Sequence, residues 1–331
     1  MEKIVVIGSN SFSGSDFIDN ALTETNYEIH GISRSPEKTS LFLTYKGNTN
    51  LDRFSFHQMD LNQNMVELKK FILNIEPDYI INFAAQSEVA PSWEHPEQWF
   101  LTNAVAIASL GNFLKDQGWL QKYVHISTPE VYGTCEGIVR EDAPLNPSTP
   151  YAASKAAGDL MLFTLVKNFD FPLVLIRSTN VYGAHQQLFK IIPRSVIYLK
   201  KGKTIELHGG GHAIKSFIHI RDISRGQLLA MENGKKGQIY HLSPTDSGIS
   251  IKNLVSLICD EMGKSFDSCT KTVAERTGQD KAYVIDSSKA RRDFNWDSKI
   301  PLNEGIKGVI TWVENNWKEI KNLPLAYIYK P

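Results

Sequence analysis

An α/β fold, with a doubly wound parallel sheet followed by a smaller C-terminal α/β lobe, is predicted by three features of this 331-residue sequence. Short apolar runs alternate with longer stretches of helical spacing through the first half. The runs carry little polar alternation, as expected of strands covered by helices on both faces. The first of them opens directly onto a glycine turn and a helix. A composition of 42% hydrophobic residues supports one large domain or two modest ones, and excludes a disordered or fibrous chain.

Six strands are expected, at Ile4 to Ile7, Glu28 to Ser33, Arg53 to Met59, Tyr79 to Phe83, Tyr123 to Ser127 and Leu173 to Arg177. Between them Phe17, Ile18, Ala21 and Leu22 share one helical face, as do Phe100, Ala104, Ile107 and Leu110. Strand and helix in alternation imply right-handed crossovers, and such sheets bind ligands outside the carboxyl ends of their strands. Beyond Val181 the rhythm loosens into glycine and lysine turns, so residues 1–180 are read as a Rossmann dinucleotide-binding domain and 181–331 as a substrate lobe. Segments near 214–243, Ser216 to Ile220 and Gln238 to Leu242 among them, can rejoin the first sheet.

Charge and cysteine content narrow the partners. Thirty-six Lys plus Arg balance 36 Asp plus Glu, so no global field gathers nucleic acid or an anionic membrane, and none is expected as a partner. The first apolar run is too short for a signal peptide or a membrane span, which leads to the expectation of a cytoplasmic protein. Cys135, Cys259 and Cys269 are odd in number and spaced like neither a zinc site nor a disulfide framework, so reduced thiols are expected. His185 and His212 lack metal-ligand spacing with other His, Cys or acids, and no metal is predicted.

The glycine turn runs Gly8-Ser9-Asn10-Ser11-Phe12-Ser13-Gly14 into a helix expected to begin near Asp16. Gly8 and Gly14 allow close backbone approach to a pyrophosphate, and the helix N-terminus offers unpaired amides; Ser11 replaces the usual middle glycine, and Phe12 lies in the same turn. The second strand ends in Ser33-Arg34-Ser35 rather than in an acid. An acid there would accept from the ribose of NAD, whereas Arg34 with Ser33 or Ser35 suits a 2′-phosphate, so NADP is favoured and NAD is the alternative. Asp60 and Leu61 after the third strand, and Ala84, Ala85 and Gln86 after the fourth, fall where the rest of a dinucleotide would lie.

After the fifth strand comes Ser127-Thr128-Pro129-Glu130-Val131-Tyr132-Gly133, and later Tyr151-Ala152-Ala153-Ser154-Lys155 behind Pro147-Ser148-Thr149-Pro150, a helix start. Tyr151 and Lys155 are four apart and share a helix face, where an ammonium and a cofactor ribose can favour the phenolate. An unperturbed phenol near pKa 10 needs such help to act as a base at neutral pH.

With these motifs in view, the chain resembles the extended short-chain dehydrogenases/reductases and, within them, the nucleotide-sugar 4,6-dehydratases that act on dTDP-glucose and GDP-mannose. The resemblance rests on the glycine turn, Asn82-Phe83-Ala84-Ala85-Gln86-Ser87, Thr128 to Gly133, Tyr151 with Lys155, Arg177 to Gly183, Lys190-Ile191-Ile192-Pro193 and Arg276-Thr277-Gly278-Gln279-Asp280. It implies that Tyr151, aided by Thr128 and Lys155, deprotonates the sugar 4-hydroxyl as hydride leaves carbon 4. It implies further that Glu130 takes the carbon 5 proton, that water leaves carbon 6, and that the hydride returns there. Plain 4-epimerases tend to carry a small neutral residue in place of Glu130. The acid that dTDP-glucose enzymes place between Thr and Glu is Pro129 here, which cannot donate a proton.

The same resemblance assigns Asn180, Lys190 and Arg276 to the substrate diphosphate and nucleotide, and Ser87 to the sugar. Lys215 stands where the dTDP-glucose enzymes usually have arginine and His241 where they have asparagine, which leaves the base open. A homodimer is implied, through a four-helix bundle of Glu97 to Gln117 and Tyr151 to Asn168, with Trp99, Phe100, Leu160, Met161 and Phe163 among its apolar residues. A 4-epimerase or decarboxylase of the same superfamily, and a non-catalytic NADP-binding sensor or scaffold, are the alternative readings.

Overall fold

The computed structural model describes residues 1–134, 137–246, 248–275 and 284–329. Its centre is a seven-stranded sheet of β1 (Lys3–Ile7), β2 (Glu28–Ser33), β3 (Phe54–Gln58), β4 (Tyr79–Asn82), β5 (Lys122–Ile126), β6 (Leu173–Ser178) and β7 (Gln238–Leu242). The strands lie in the order β7-β6-β5-β4-β1-β2-β3, every neighbouring pair parallel. The winding reverses at β1, between β2 and β4, and that reversal opens a crevice for ligands. Register aligns Ile7 with Ile32 on one side and with Asn82 on the other, so Gly8, Ser33 and Phe83 emerge side by side.

Alternation along β1 sorts the two helical layers. Ile4 and Val6 face helix α1 (Phe12–Glu24), whose Phe17, Ile18, Ala21 and Leu22 are fully buried with Ile223 of the helix Ile220–Asn233. Val5 and Ile7 face the opposite layer, with Leu68, Ile72, Ile107, Leu110, Leu162 and Leu165. Each such aliphatic side chain contributes about 1.5–3 kcal/mol when fully buried. A third core, which includes Val196, Leu254, Ile258 and Val309, fills the C-terminal lobe and takes in Leu41 from the loop after β2.

Three elements depart from the expectations. Helix α1 begins at Phe12 rather than near Asp16, because Ser11 is its N-cap and its Oγ accepts from the Gly14 amide at 2.9 Å. The helix expected over Glu97 to Gln117 is instead Pro96–Phe100, a π-turn at Leu101–Val105, and Ala106–Leu114. Its Asn103 turns inward, accepting from the Gln86 amide and donating to the Gln86 carbonyl and Ser154 Oγ at 2.9–3.0 Å. Gly158 makes room for it, since a Cβ there would lie 2.3 Å from the Asn103 carbonyl oxygen. Lastly, Gln238–Leu242 joins the sheet, but Phe217–His219 pairs with Asn180–Tyr182 outside it. The change of partner falls at Thr179, whose amide still reaches Leu242, while that of Asn180 reaches Ser216. No helix among the described residues is long and apolar enough to cross a membrane.

Candidate active site

The backbone turns at Gly8 with φ +91°, its amide donating to the Ile32 carbonyl at 2.7 Å. A Cβ on Gly8 would meet the Ala84 nitrogen at 2.7 Å, and one on Gly14 the Gly8 oxygen at 2.4 Å. The turn is therefore closed to any side chain at either position. Beside it lies a cavity of about 700 Å³. Gly8, Ser11, Ser33, Arg34, Ser35, Asp60, Leu61, Ala84, Ala85, Gln86 and Ser87, all expected to hold ligands, line it. Phe12 and Gly14 do not; Phe12 is buried toward Gly183, and Gly14 packs on Gly8. The size, the glycine cradle and the switch-point position fit an extended dinucleotide.

Ser33 and Ser35 are occupied in a way the sequence did not indicate. Ser33 Oγ accepts from the Asn10 amide at 2.9 Å, and Ser35 accepts through both its carbonyl and its Oγ from Asn10 Nδ2 at 3.0 and 3.1 Å. The Asn10 carbonyl accepts from Lys38 Nζ at 2.9 Å. Arg34 and Lys38 thus bring two cations to this end of the cavity, while the nearby Glu37 turns toward Lys46 and Tyr45. Asp60 accepts from the amides of Asn62 and Gln63 and shapes its own loop.

The second half of the site grows from β5 and the helix α2 (Pro150–Phe169). Thr149 N-caps α2, its Oγ1 accepting from the Ala152 amide at 3.1 Å, with Pro150 in the first turn. This cap starts the helix one residue before Tyr151 and points Tyr151 and Lys155 inward, 8% and 2% exposed. Thr128 Oγ1 accepts from the Glu130 amide at 3.3 Å and acts on the Tyr151 phenol. Burial pushes the Tyr151 phenol up, the Glu130 charge adds to that, and the Thr128 hydroxyl opposes it. Lys155 Nζ donates to the Ile126 carbonyl at 2.8 Å and lies 3.3 Å from His125 Nε2. Burial lowers the Lys155 ammonium to about 8, with Asp159 opposing and Arg177 assisting the shift.

Beneath these residues runs a buried polar network without an obvious sequence motif. Asp159 Oδ2 accepts from Arg177 Nη2 at 2.8 Å and from Ser127 Oγ at 2.6 Å, and both members of the ion pair are 1% exposed. Arg177 also donates to the Tyr132 hydroxyl, which is 2.7 Å from His241 Nε2. Burial lowers His241 to about 3 and His125 well below its ordinary value, so both are neutral rings. Two signals could have exposed it: an arginine closing the apolar strand Leu173–Ser178, and an acid four residues after Lys155 on the same helix face.

The residues expected to hold the substrate fall into two groups. Lys190 Nζ pairs with Glu88 Oε1 at 2.6 Å, next to Ser87 at the cavity wall. Asn180 donates through Nδ2 to the Ser216 carbonyl at 3.1 Å, next to Lys215 in the short strand Ile214–Lys215. Arg276, with the motif through Asp280, lies outside the described residues, as does Cys135. Thr128, Glu130, Tyr151 and Lys155 are not part of the cavity wall, which reaches Ser87 and Glu88 on their side. The wall does include Leu323, Pro324, Ala326, Tyr327 and Ile328, which sequence reading missed. Tyr327 meets Phe189 edge-on at 5.3 Å; Tyr329 stacks on His95 at 4.7 Å and Trp99 at 5.9 Å and hydrogen-bonds Gln98. Among the described residues no three His, Cys, Asp or Glu side chains gather as a metal site.

Known proteins match this arrangement along almost the whole chain. A family model described as GDP-mannose 4,6 dehydratase matches residues 5–309. A dTDP-glucose 4,6-dehydratase of Streptomyces niveus is 29% identical over 334 residues, covering 97% of this chain and 96% of its own. The crystal structure of DesIV, a dTDP-glucose 4,6-dehydratase of Streptomyces venezuelae with NAD and TYD bound, superposes with TM-score 0.87 at 27% identity, covering 96% of this chain and 98% of that one. A UDP-glucuronic acid 4-epimerase of Bacillus cereus, in complex with UDP-glucuronic acid and NAD, does so with TM-score 0.84 at 25% identity over 95% and 99%.

Proposed function

The chain belongs to the GDP-mannose 4,6 dehydratase family, and from that premise we propose that it converts a nucleotide diphosphate hexose or N-acetylhexosamine to the 4-keto-6-deoxy sugar. A nicotinamide dinucleotide, when bound, supplies the hydride acceptor and donor for this chemistry. The chain's own groups move the protons. Tyr151 takes the proton of the 4-hydroxyl, held in line by Thr128 and favoured as phenolate by the positive charge of Lys155. The ketone so formed acidifies carbon 5, and Glu130 removes that proton as water leaves carbon 6.

The observation that carries the reading is the place of Thr128, whose hydroxyl accepts from the Glu130 amide and favours the Tyr151 phenolate. One side chain thereby relates the carboxylate-bearing segment to the phenol, as proton removal from the 4-hydroxyl and from the neighbouring carbon 5 requires. A panel of UDP, GDP, dTDP and CDP sugars tests it: one should give a product lighter by one water with solvent deuterium at carbon 5. Glu130→Gln should form neither; an unimpaired variant overturns the role of Glu130. A product that keeps its water, or loses carbon dioxide, would favour the epimerase or decarboxylase reading. Measurable turnover of any kind would exclude a silent scaffold.

Arg34, next after β2, and Lys38 in the loop that follows support NADP over NAD, the dinucleotide named with the similar structures. Calorimetric titration should show tighter NADP binding, and Arg34→Ala should erase about tenfold of the preference. Exposed Phe100, Leu101 and Val105 in the segment from Pro96 through the π-turn, with Leu160 on α2, support a homodimer through a four-helix bundle. Trp99 belongs to the chain's own interior instead, at 0% exposure.

A further inference from the structure

Loss of water from a sugar carbon needs a proton donor to the departing oxygen as well as a base, because hydroxide is a poor leaving group. Pro129, buried between Thr128 and Glu130, has no proton to give. Three carboxylates bear on the Tyr151 phenol: Glu130, Glu88 and Asp159. Asp159 is sealed in the interior with Arg177 and Ser127. Glu130 has the carbon 5 proton to remove. Glu88 lines the cavity beside Ser87, its side chain 20% exposed, and its Oε1 lies 2.6 Å from Lys190 Nζ. It is the N-cap residue of the helix Val89–Glu94, whose Ser92 Oγ accepts from the Tyr151 amide at 3.2 Å, and so is the remaining acid that lines the ligand space next to the helix carrying Tyr151.

We propose that Glu88 is the proton donor to the departing carbon 6 hydroxyl, and that substrate binding prepares it by drawing Lys190 onto the diphosphate. This rests on the dehydratase reading above. An ammonium shared with a carboxylate is the natural anchor for an incoming diphosphate, which offers more oxygens and more negative charge. Once Lys190 turns to the phosphates, the Glu88 carboxyl is released from its ion pair and can carry a proton to the departing oxygen. In the elimination the C5–H electron pair becomes the second bond between carbons 5 and 6, and its proton goes to Glu130. The C6–O bond breaks with its pair on oxygen, which takes the Glu88 proton and leaves as water. Tyr151 meanwhile has gained the proton of the 4-hydroxyl, so the proton lost by Glu88 is matched and both groups reset through solvent.

The test compares dTDP-glucose, or whichever sugar of the panel the wild-type protein dehydrates, with its 6-deoxy-6-fluoro analogue, since fluoride departs without a proton. Glu88→Gln should slow water loss about 10²- to 10⁴-fold, and on the fluoro analogue it should come within tenfold of the wild type. Glu88→Asp should recover part of the activity on the hydroxyl substrate. Glu130→Gln should stay impaired on both. A Glu88→Gln protein equally impaired on both substrates, or unimpaired on the hydroxyl substrate, overturns the inference and leaves the dehydratase reading standing. A wild-type protein that dehydrates no sugar overturns both.

Discussion

At the end of the cleft where Tyr151 and Lys155 sit, the polar groups are buried and fastened to one another where α2 packs on β5 and β6. Lys155 holds the Ile126 carbonyl, Asp159 holds Arg177 and Ser127, and Arg177 holds Tyr132. At the dinucleotide end the walls come from segments far apart in the chain: the loop at 38–42, residues 187–189, and residues 323–328. They meet through aromatic edges and stacks between half-buried side chains. The difference matches two jobs. Proton transfer tolerates little displacement of the groups involved, whereas a large ligand must be able to enter and then be held.

The sharpest way to break this comparison is to remove Asp159. Asp159→Ala leaves Arg177 as a buried charge without its partner, and such losses cost about 3–5 kcal/mol. Denaturant unfolding should register that drop, and replacing Asp159 and Arg177 together by apolar residues of similar size should cost less than the single change. A loss under about 1 kcal/mol would mean that the buried end is no more rigid than the open one.

Next in size is a pH effect. Lys155 releases its proton at about 8 in the native protein and near 10.5 when unfolded. Between those values the unfolded chain binds the extra proton, so the contribution of this group to stability rises with pH across that window. Under the proposed mechanism catalysis runs the other way, because the Lys155 ammonium, proposed to favour the Tyr151 phenolate, is lost above about 8. The kcat/KM profile should fall about tenfold per pH unit on its basic limb, and Lys155→Arg should move that limb upward. A limb unmoved by this substitution would detach Lys155 from the phenol.

How far each end could be read from sequence follows from how local its determinants are. Tyr151 and Lys155 stand one helical turn apart behind a Thr-Pro start, and strand order brings Thr128 and Glu130 to them, so motif and spacing suffice. The strands of the sheet were legible because fully buried runs such as Ile4 to Ile7 and Leu173 to Ile176 leave no room for another assignment. Helix α1 begins four residues before the expected Asp16 because Ser11, which replaces the usual glycine, is its cap. The π-turn at Leu101–Val105 hides because one extra residue per turn barely disturbs a 3.6-residue pattern. The inward Asn103 was its one trace. Glu88 and Lys190 are 102 residues apart, and nothing in either neighbourhood announces the other.

The smallest effect expected is at the open end, where it discriminates most clearly. Tyr327 and Tyr329 anchor a wall of the cavity through Phe189, His95, Trp99 and Gln98, contacts that lie apart from the buried network under Tyr151. Aromatic pairs of this kind contribute about 0.5–1.5 kcal/mol each. Replacing both tyrosines by alanine should therefore weaken dinucleotide binding about tenfold, read by fluorescence titration. The effect should fall chiefly on the dissociation rate, because a wall already in place slows escape more than it aids encounter. Global stability should change little, since both side chains are only half-buried. If thermal unfolding instead shifted as far as in Asp159→Ala, the tail would be part of the folding core, and the contrast between a fastened catalytic end and a separately closed dinucleotide end would fail.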